Sequence, residues 1–236
     1  RRFRETLPAT KVNAELFERF SKVAQTGQPD EHETLCESNS SRVWFRSVAV
    51  KLGSGVAVYL TDITERKRRE QHIDKLTRLY LVISRVNEAI VRVRSADSLY
   101  EDVCRIIAGE GGFPLVWISM REGQQIVHQA WCGPASGDLE RSGADAEGVL
   151  ALGATEACIR ENRPIVSENI LSDAATPLAR GLVERYAVAA SAAFPLRRRG
   201  SAFGAVTLLA GDARSFEVEQ RGVLEALTAD LSFALD

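Results

Sequence analysis

The stretch Asp62–Val93, DITERKRREQHIDKLTRLYLVISRVNEAIVRV, contains neither glycine nor proline and predicts one long helix. Asp62 suits the N-cap, and Glu65 three residues later completes a capping-box pattern. Side chains spaced alternately three and four residues apart share one face, which is the pattern that lets two helices supercoil. The sequence therefore predicts a homodimer whose seam consists of Ile73, Leu76, Tyr80, Ile83, Asn87 and Ile90.

A second stripe on the same helix, formed by Leu79, Val86 and Val93, recurs every seven residues on another face. One stripe can therefore contact a partner helix while the other packs on a domain. The alternative is an amphipathic helix that packs only on its own domain. In the dimer, Asn87 at a core position would fix the register at a cost in stability, so Asn87→Leu is expected to raise thermal stability.

Length and composition indicate a soluble globular protein of two modest domains, with 236 residues, 45% hydrophobic and 26% charged. The net charge of -2 gives no reason to expect nucleic acid as a partner. No apolar run is long enough to span a bilayer and no signal peptide opens the chain, so we expect no membrane contact and a cytoplasmic location. The chain begins without Met and ends inside a helical pattern, so both ends are interpreted as cuts in a longer protein.

Upstream of the long helix, a helical segment, NAELFERFSKVAQTGQP, precedes three strand candidates, EHETLCE, VWFRSVAVKL and VAVYLTDIT. With TGQP and WFRSVAVKLGSGVAVYLTDITERKRRE, this region resembles the second half of a PAS domain running into its exit helix. The resemblance implies that Asp62 and Thr64 join the last strand to a signalling helix. It assigns residues 1–64 to the C-terminal part of a PAS domain and 65–94 to a signalling, coiled-coil helix. The strands and helices that wall a PAS pocket would precede Arg1.

Residues 95–236 alternate helix and strand patterns, and four segments resemble a GAF domain: GGFPLVWISM, ENRPIVSENILSD, AASAAFPLRRRGSAFGAVTLLAGDARSF and ALTADLSFALD. The resemblance implies an α+β fold, an antiparallel-sheet GAF domain with flanking helices, preceded by a partial PAS domain and the long connecting helix. This order resembles bacterial modular signalling sensors. It implies an output domain in cis after this chain, either a GGDEF/EAL cyclic-di-GMP enzyme or a histidine kinase.

A GAF domain implies a small-molecule cavity between its sheet and the covering helices. The small residues of the run Ala189–Ala193 would leave room above the sheet, so Ala190→Phe is expected to fill the cavity at little cost. Close packing of helix on sheet with no cavity is the alternative. The predicted lining residues are Trp117, Val149, Leu150, Cys158, Ala190 and Ala192.

Three known GAF ligands are disfavoured by the sequence, which leaves the ligand unknown. Phe216 is followed by EVEQ and not by the x-x-x-D-E of cyclic-nucleotide GAF domains, and their N-K pair is missing. Bilin-binding GAF domains use a Cys followed by His, whereas Ile159 follows Cys158. His128 stands alone in a predicted strand, which is typical of a packed or surface residue and not of a haem ligand.

No pattern of catalysis or metal binding was found. The four cysteines lack metal-ligand spacing and predict free thiols in a reducing cytosol, and Glu31-His32-Glu33 alternates between strand faces. The basic runs 66–69 and 197–199 contain no aromatic residues and predict solvated surfaces.

The sequence also contains no nucleophile elbow, phosphate loop, GGDEF or EAL string or phosphoacceptor-His box, so this fragment is predicted not to be an enzyme. A structural dimerisation spacer without ligand remains an alternative. A GAF-type methionine sulfoxide reductase is a further one, and it would need clustered cysteines, which Cys104 on a predicted helix fits poorly.

Overall fold

A computed structural model of the chain describes residues 11–38, 41–92, 95–138, 153–168, 170 and 177–235. Contacts between Cα atoms divide the chain into two units, Arg1–Ile73 and Asp74–Asp236. None of the helices in the described ranges has the length and apolarity needed to cross a membrane.

The first unit contains helix α1 (Lys11–Thr26) and three strands, β1 (Asp30–Ser38), β2 (Ser41–Leu52) and β3 (Gly55–Asp62). The strands form an antiparallel sheet in the order β1-β2-β3, which confirms the predicted meander. Gly53 makes the turn between β2 and β3 with a φ of 60°, a conformation that suits glycine.

One face of this small sheet lies under α1. Val23 of α1 is buried, and so are Ser47 and Ala49 of β2, because alternate strand residues point to the same face. Strand β3 pairs only with β2 among the described strands, and its Tyr59 and Leu60 are exposed. No charged residue occurs on β3 before Asp62, so this strand lacks the charged side chains that commonly protect an edge strand.

Helix α2 (Thr64–Arg92) follows β3 directly. The carboxylate of Asp62 accepts a hydrogen bond from the backbone N–H of Thr64 at 2.8 Å, as expected for a helix start. The hydroxyl of Thr64 in turn accepts one from the backbone N–H of Trp44 at 2.9 Å, and Nζ of Lys67 lies 5.4 Å from the centre of the Trp44 ring. These contacts fix the first turn of α2 to strand β2.

The second unit is a five-stranded sheet with helices on both faces. After α2, its elements are α3 (Ala96–Gly111), β4 (Leu115–Glu122), β5 (Gln125–Cys132), α4 (Ala154–Glu161), β6 (Ile165–Ser167), α5 (Pro177–Arg185), β7 (Ala190–Arg198), β8 (Ser201–Ala210), a 3-10 turn (Ala213–Phe216) and α6 (Val218–Ala234). The strand order is β5-β4-β8-β7-β6, and all neighbouring strands are antiparallel, in agreement with the predicted α+β class.

One continuous apolar core fills the space between one face of this sheet and helices α2, α3 and α6. Phe216 lies at its centre, 1% exposed, with its ring 6.2 Å from that of Phe113 and 6.5 Å from that of Phe194. Helices α2, α3 and α6 contribute, among others, Leu79, Val82, Val86, Leu99, Val103, Ile107, Leu224, Leu227 and Leu231.

The ends of α3 are capped by the residues that flank it. The hydroxyl of Ser95 accepts a hydrogen bond from the backbone N–H of Ser98, and Gly112 adopts the left-handed conformation with its N–H donating to Ala108. The helix therefore begins at Ala96, directly after its cap.

Candidate functional site

The predicted pocket residues fall on two different faces of the second unit's sheet. Trp117 on β4 and Cys158 on α4 are both fully buried on the α4 side. Ala190 and Ala192 on β7 are also buried, but they belong to the core beneath α3 and α6. Val149 and Leu150 lie outside the described residues.

Strand alternation explains this separation. Successive side chains point to opposite faces, so Ala190, Ala192 and Phe194 share the helical core. Ser191 and Ala193, between them, point to the side of Trp117. Grouping Ala190 and Ala192 with Trp117 was therefore wrong, and Ala190→Phe would overpack the core where it had been expected to fill a cavity.

A chain of neutral polar groups crosses the α4 side of the sheet. The indole N–H of Trp117 donates to the hydroxyl of Thr155 at 3.3 Å, and that hydroxyl lies 2.9 Å from the hydroxyl of Thr207 on β8. Thr155 is on α4, so the chain ties this helix to the centre of the sheet. On the neighbouring strand pair, the hydroxyl of Ser119 lies 2.7 Å from Nδ1 of His128.

The hydroxyl of Ser191 is buried and has no hydrogen-bond partner among the described residues. Ser191 pairs with Leu209 across the sheet, and Leu209 packs with Trp117. Most buried hydroxyl groups are hydrogen-bonded, because leaving one unsatisfied costs about 1–3 kcal/mol. Ser191 is therefore the polar group on this face that is best placed to bind something else.

Apolar packing on the α4 side is divided, in contrast with the other face. One cluster contains Leu115, Trp117 and Leu209 with Ile170 and Val183. A separate cluster is formed by Ala154, Cys158, Ile159, Ala193 and Ala205. The hydrogen bonds from Trp117 through Thr155 to Thr207 connect the two regions, because Trp117 belongs to the first cluster and Thr155 lies on α4 beside residues of the second.

Helix α5 is fixed near the Trp117 cluster by a partly buried carboxylate. Nη1 of Arg185 donates to both carboxylate oxygens of Asp138, at 3.0 and 2.8 Å, and the Tyr186 hydroxyl donates to one of them at 3.0 Å. The hydrogen bond with Asp138 raises the pKa of Arg185 above its ordinary value. Tyr186 packs against the Trp117 cluster, so this polar contact anchors one border of the site.

The family model of the GAF domain matches residues 93–236, which is more than half of the chain. The chain belongs to the GAF domain family. On the α4 side of the GAF sheet, Trp117, Thr155 and Thr207 are joined by hydrogen bonds, and Ser191 lies on the same face. No curated protein matches the chain significantly.

Solved structures confirm the GAF fold. The crystal structure of the A. aeolicus nlh2 GAF domain in an inactive state is 16% identical, with a TM-score of 0.54, and the match covers 68% of this chain and 97% of that one. The fRMsr of Staphylococcus aureus in complex with substrate is 12% identical, with a TM-score of 0.50 and coverage of 67% and 95%. The free methionine-R-sulfoxide reductase from Neisseria meningitidis with its substrate is 11% identical, with a TM-score of 0.50 and coverage of 66% and 87%. At these identities the similarity establishes the shared fold alone.

Two of the cysteines of the GAF domain are buried thiols. Burial raises the pKa of Cys158 to about 12. It also raises the pKa of Cys104 well above its ordinary value, with Cys132 nearby adding to the shift. Since the thiolate is the reactive form, both groups are poor nucleophiles at neutral pH. In the described part of the chain, no three His, Cys, Asp or Glu side chains are grouped in a way that could hold a metal ion.

The raised thiol pKa predicts a specific loss of stability in alkali. An unfolded thiol ionises near pH 8.5, whereas Cys158 keeps its proton in the folded GAF domain up to about pH 12. Between these values the folded state binds more protons, so the free energy of unfolding falls as pH rises, by up to about 1.4 kcal/mol per pH unit for this thiol. Urea unfolding from pH 8 to 10.5 should show a shallower decline for Cys158→Ala than for the wild type. If the free energy of unfolding falls equally with pH in both proteins, the raised pKa of Cys158 is contradicted.

The predicted dimer seam is split between the GAF core and the surface. Leu76, Ile83 and Ile90 are half-buried against the core, whereas Ile73 and Tyr80 are each 61% exposed. The second stripe packs on the domain as predicted, with Leu79 and Val86 buried, and Val93 lies outside the described residues. Asn87 is exposed and donates to the carboxylate of Asp230 on α6 at 3.2 Å.

Sequence reasoning missed Thr155, Thr207 and Ser191 as site residues. Ser and Thr are ordinary on strands and at helix starts, so none of the three is unusual alone. The two-residue period of a strand already indicated that Ser191 and Ala193 lie on the opposite face from Ala190 and Ala192. Choosing between the two faces required knowing which one receives the long apolar helices.

Proposed function

We propose that this chain is the sensory and transmission part of a bacterial signalling protein. Its GAF domain binds a small ligand on the α4 side of the sheet, and dimeric helices relay the change to an output domain after residue 236. The output domain is either a cyclic-di-GMP enzyme or a histidine kinase. Membership of the GAF family supports the sensory role, and the sequence that follows Asp236 tests the choice of output.

The hydroxyl of Ser191, which has no hydrogen-bond partner in the described part of the chain, is the observation that carries the ligand proposal. It lies on the same face as the chain of hydrogen bonds from Trp117 through Thr155 to Thr207. The side chains of Trp117, Thr155 and Thr207 that form these hydrogen bonds are all uncharged, and apolar clusters flank them. The chemistry therefore suits a small neutral molecule with an apolar body and at least one hydrogen-bonding group.

A ligand there has a direct route to α4. It would satisfy Ser191 and compete with the contact between Thr155 and Thr207, which ties α4 to the sheet. The ligand would favour the arrangement of the domain in which α4 is displaced. The equilibrium between the two arrangements would shift by the difference in the ligand's affinity for them. The proposed signal is this population shift, passed on by helices α2 and α6, which pack on the opposite face of the same sheet.

A matched pair of substitutions on adjacent residues tests for space on the ligand side. Ser191→Leu removes the unpartnered hydroxyl and extends toward α4, so we expect the free energy of unfolding to change by less than about 1 kcal/mol. Ala190→Leu points into the continuous core and should lower it by about 1–3 kcal/mol. Urea denaturation of both variants measures the difference. If both substitutions cost the same, the α4 side is close-packed, and the reading of the domain as a spacer without ligand gains support.

The first unit is proposed to be the C-terminal part of a PAS domain that acts on the start of α2. Four charged side chains connect its strand β1 with α2. Arg66 and Lys67 both contact the carboxylate of Glu33, with 2.7 Å from Lys67 Nζ to Glu33 Oε2, and both also contact Glu70. The hydrogen bond from Lys67 is the main cause of the lowered pKa of Glu33. Because these ion pairs join the start of α2 to the three-stranded sheet, they support the proposal that a movement of this sheet also moves α2.

The reductase alternative has its own test. The Neisseria meningitidis protein of similar fold is named a free methionine-R-sulfoxide reductase, whereas burial raises the pKa of the Cys104 and Cys158 thiols here and keeps them protonated at neutral pH. We expect no reduction of free methionine-R-sulfoxide by the purified chain with thioredoxin or dithiothreitol as reductant. Turnover that disappears in Cys132→Ser would overturn the proposal of a non-catalytic domain.

A further inference from the structure

A polar cleft of about 670 Å³ lies between helix α4 and the turn that joins β4 to β5. We call it the hairpin cleft. Arg121 follows Trp117 by four residues on the same face of β4, which separates the cleft from Trp117 by about 13 Å at 3.3 Å per residue. The side chains that line the cleft belong to Arg121, Gln124, Gln125, Ile126, Glu156 and Arg160.

Arg121 brings to the cleft a positive charge that no described carboxylate neutralises. Its side chain is exposed, and it has no hydrogen bond or ion pair in the described part of the chain. The neighbouring Glu122 points to the other face of the sheet, because successive strand residues alternate, and its carboxylate accepts a hydrogen bond from Gln129 at 3.2 Å. The guanidinium of Arg121 is therefore available to an anion from outside the chain.

The charged residues at the α4 border of the cleft do not cancel this charge. Arg160 lies 3.5 Å from Glu156 and 3.3 Å from Glu161. Arg163 also contacts Glu161, and its hydrogen bond is the main cause of the lowered pKa of that carboxyl group. Together with Arg121, these residues carry three positive charges and two negative ones. The described residues of the cleft and its border thus have a surplus of one positive charge.

Ile126 gives the cleft an apolar surface beside its charged groups. It pairs with Arg121 across the hairpin, so the two side chains lie on the same face of the sheet. Ile126 is half-buried and packs against the cluster that contains Cys158 and Ile159. A molecule whose anionic group contacts Arg121 can therefore place a short apolar body on Ile126.

We propose that the hairpin cleft binds the carboxylate group of a small organic acid. The planar guanidinium of Arg121 can donate two parallel hydrogen bonds to a carboxylate or to a phosphate group. The surplus of one positive charge matches one carboxylate, whereas a phosphate monoester carries about 1.5 to 2 negative charges at neutral pH. The amide groups of Gln124 and Gln125 supply further donors. This site goes beyond the proposed sensing at Ser191 and does not depend on it.

NMR titration of the full chain labelled with ¹⁵N tests the site, with sodium butyrate as the probe and the ionic strength held constant. We expect the backbone amide resonances of Gly123 and Gln124 to shift to saturation with a Kd in the millimolar range. Butyramide has nearly the same shape without the charge and should bind at least about tenfold more weakly. Inorganic phosphate should also bind more weakly than butyrate. Equal binding of phosphate would overturn the choice of a carboxylate.

Arg121→Gln should raise the Kd for butyrate at least about tenfold. The melting temperature should stay the same, because the side chain is exposed and has no described partner. Arg105→Gln is the matched control, since Arg105 is an exposed arginine on α3, on the opposite side of the sheet, and should change the Kd less than about twofold. Resonances that do not shift, or that shift equally in Arg121→Gln or with butyramide, would overturn the site. Such a result would leave ligand binding at Ser191 to its own test.

Discussion

Inserting one residue between Arg69 and Gln71 is expected to change the output of a fusion that joins a signalling enzyme after Asp236 by about 5–150-fold, the usual range of allosteric coupling. One residue turns an α-helix by about 100° and lengthens it by only about 1.5 Å. Helix α2 is continuous from Thr64 to Arg92, with no glycine or proline to absorb the rotation. The insertion therefore rotates the first unit by about 100° relative to the face of α2 that carries the buried residues Leu79 and Val86. Enzyme activity of the fusion measures the effect.

Seven inserted residues provide the control. They restore the heptad phase while lengthening the helix by about 10 Å, so the fusion should keep its output within about twofold. An effect of distance would be larger for this insertion than for the single residue, which is the reverse of the expected order. If insertions of one, two and seven residues all leave the output unchanged, α2 is a passive tether and the proposed transmission role falls.

Phe216→Ala should lower the free energy of unfolding of the GAF domain by about 3–5 kcal/mol, the usual cost of removing a fully buried phenylalanine. Phe216 sits in the 3-10 turn before α6, is 1% exposed and contacts the rings of Phe113 and Phe194. Its removal leaves a cavity where sheet, α3 and α6 meet. Urea unfolding monitored by circular dichroism measures the loss.

Phe233→Ala is the matched control for the same chemical change. Phe233 lies on α6 but is 87% exposed, so folding of a single chain should change by less than about 0.5 kcal/mol. Both variants are measured at a low protein concentration, so that association of chains through the exposed ring of Phe233 does not contribute. Equal losses for the two variants would show that Phe216 is not the centre of the core.

The order of elements could be predicted from the sequence because each has a strong local signal. Period-two alternation in VWFRSVAVKL and VAVYLTDIT predicted the meander. The absence of glycine and proline from Asp62 to Val93 predicted helix α2. The stripe of Leu79 and Val86 correctly predicted the side of α2 that packs on a domain. These features depend on neighbours within a few residues, which a single sequence contains.

The site was harder to predict because it depends on contacts between distant segments. Thr155 and Thr207 meet across 52 residues, and nothing local in either segment indicates the other. Strand β7 is buried on both faces, so its run of small residues did not reveal which face receives α4. Ala190 and Ala192 were predicted to line the pocket, whereas the structure places Ser191 and Ala193 on the α4 side of the sheet.

The most direct test of ligand binding on the α4 side is the ¹⁹F NMR spectrum of the chain labelled with 5-fluorotryptophan. Its three tryptophans are Trp117 in the site, Trp131 on β5, 43% exposed, and Trp44 in the first unit. During a screen of small neutral metabolites, we expect at least one compound to shift the Trp117 resonance while Trp131 stays in place. The same compound should have no effect on Ser191→Leu. A Trp117 resonance that never moves, or that moves equally in Ser191→Leu, would contradict ligand sensing at this site.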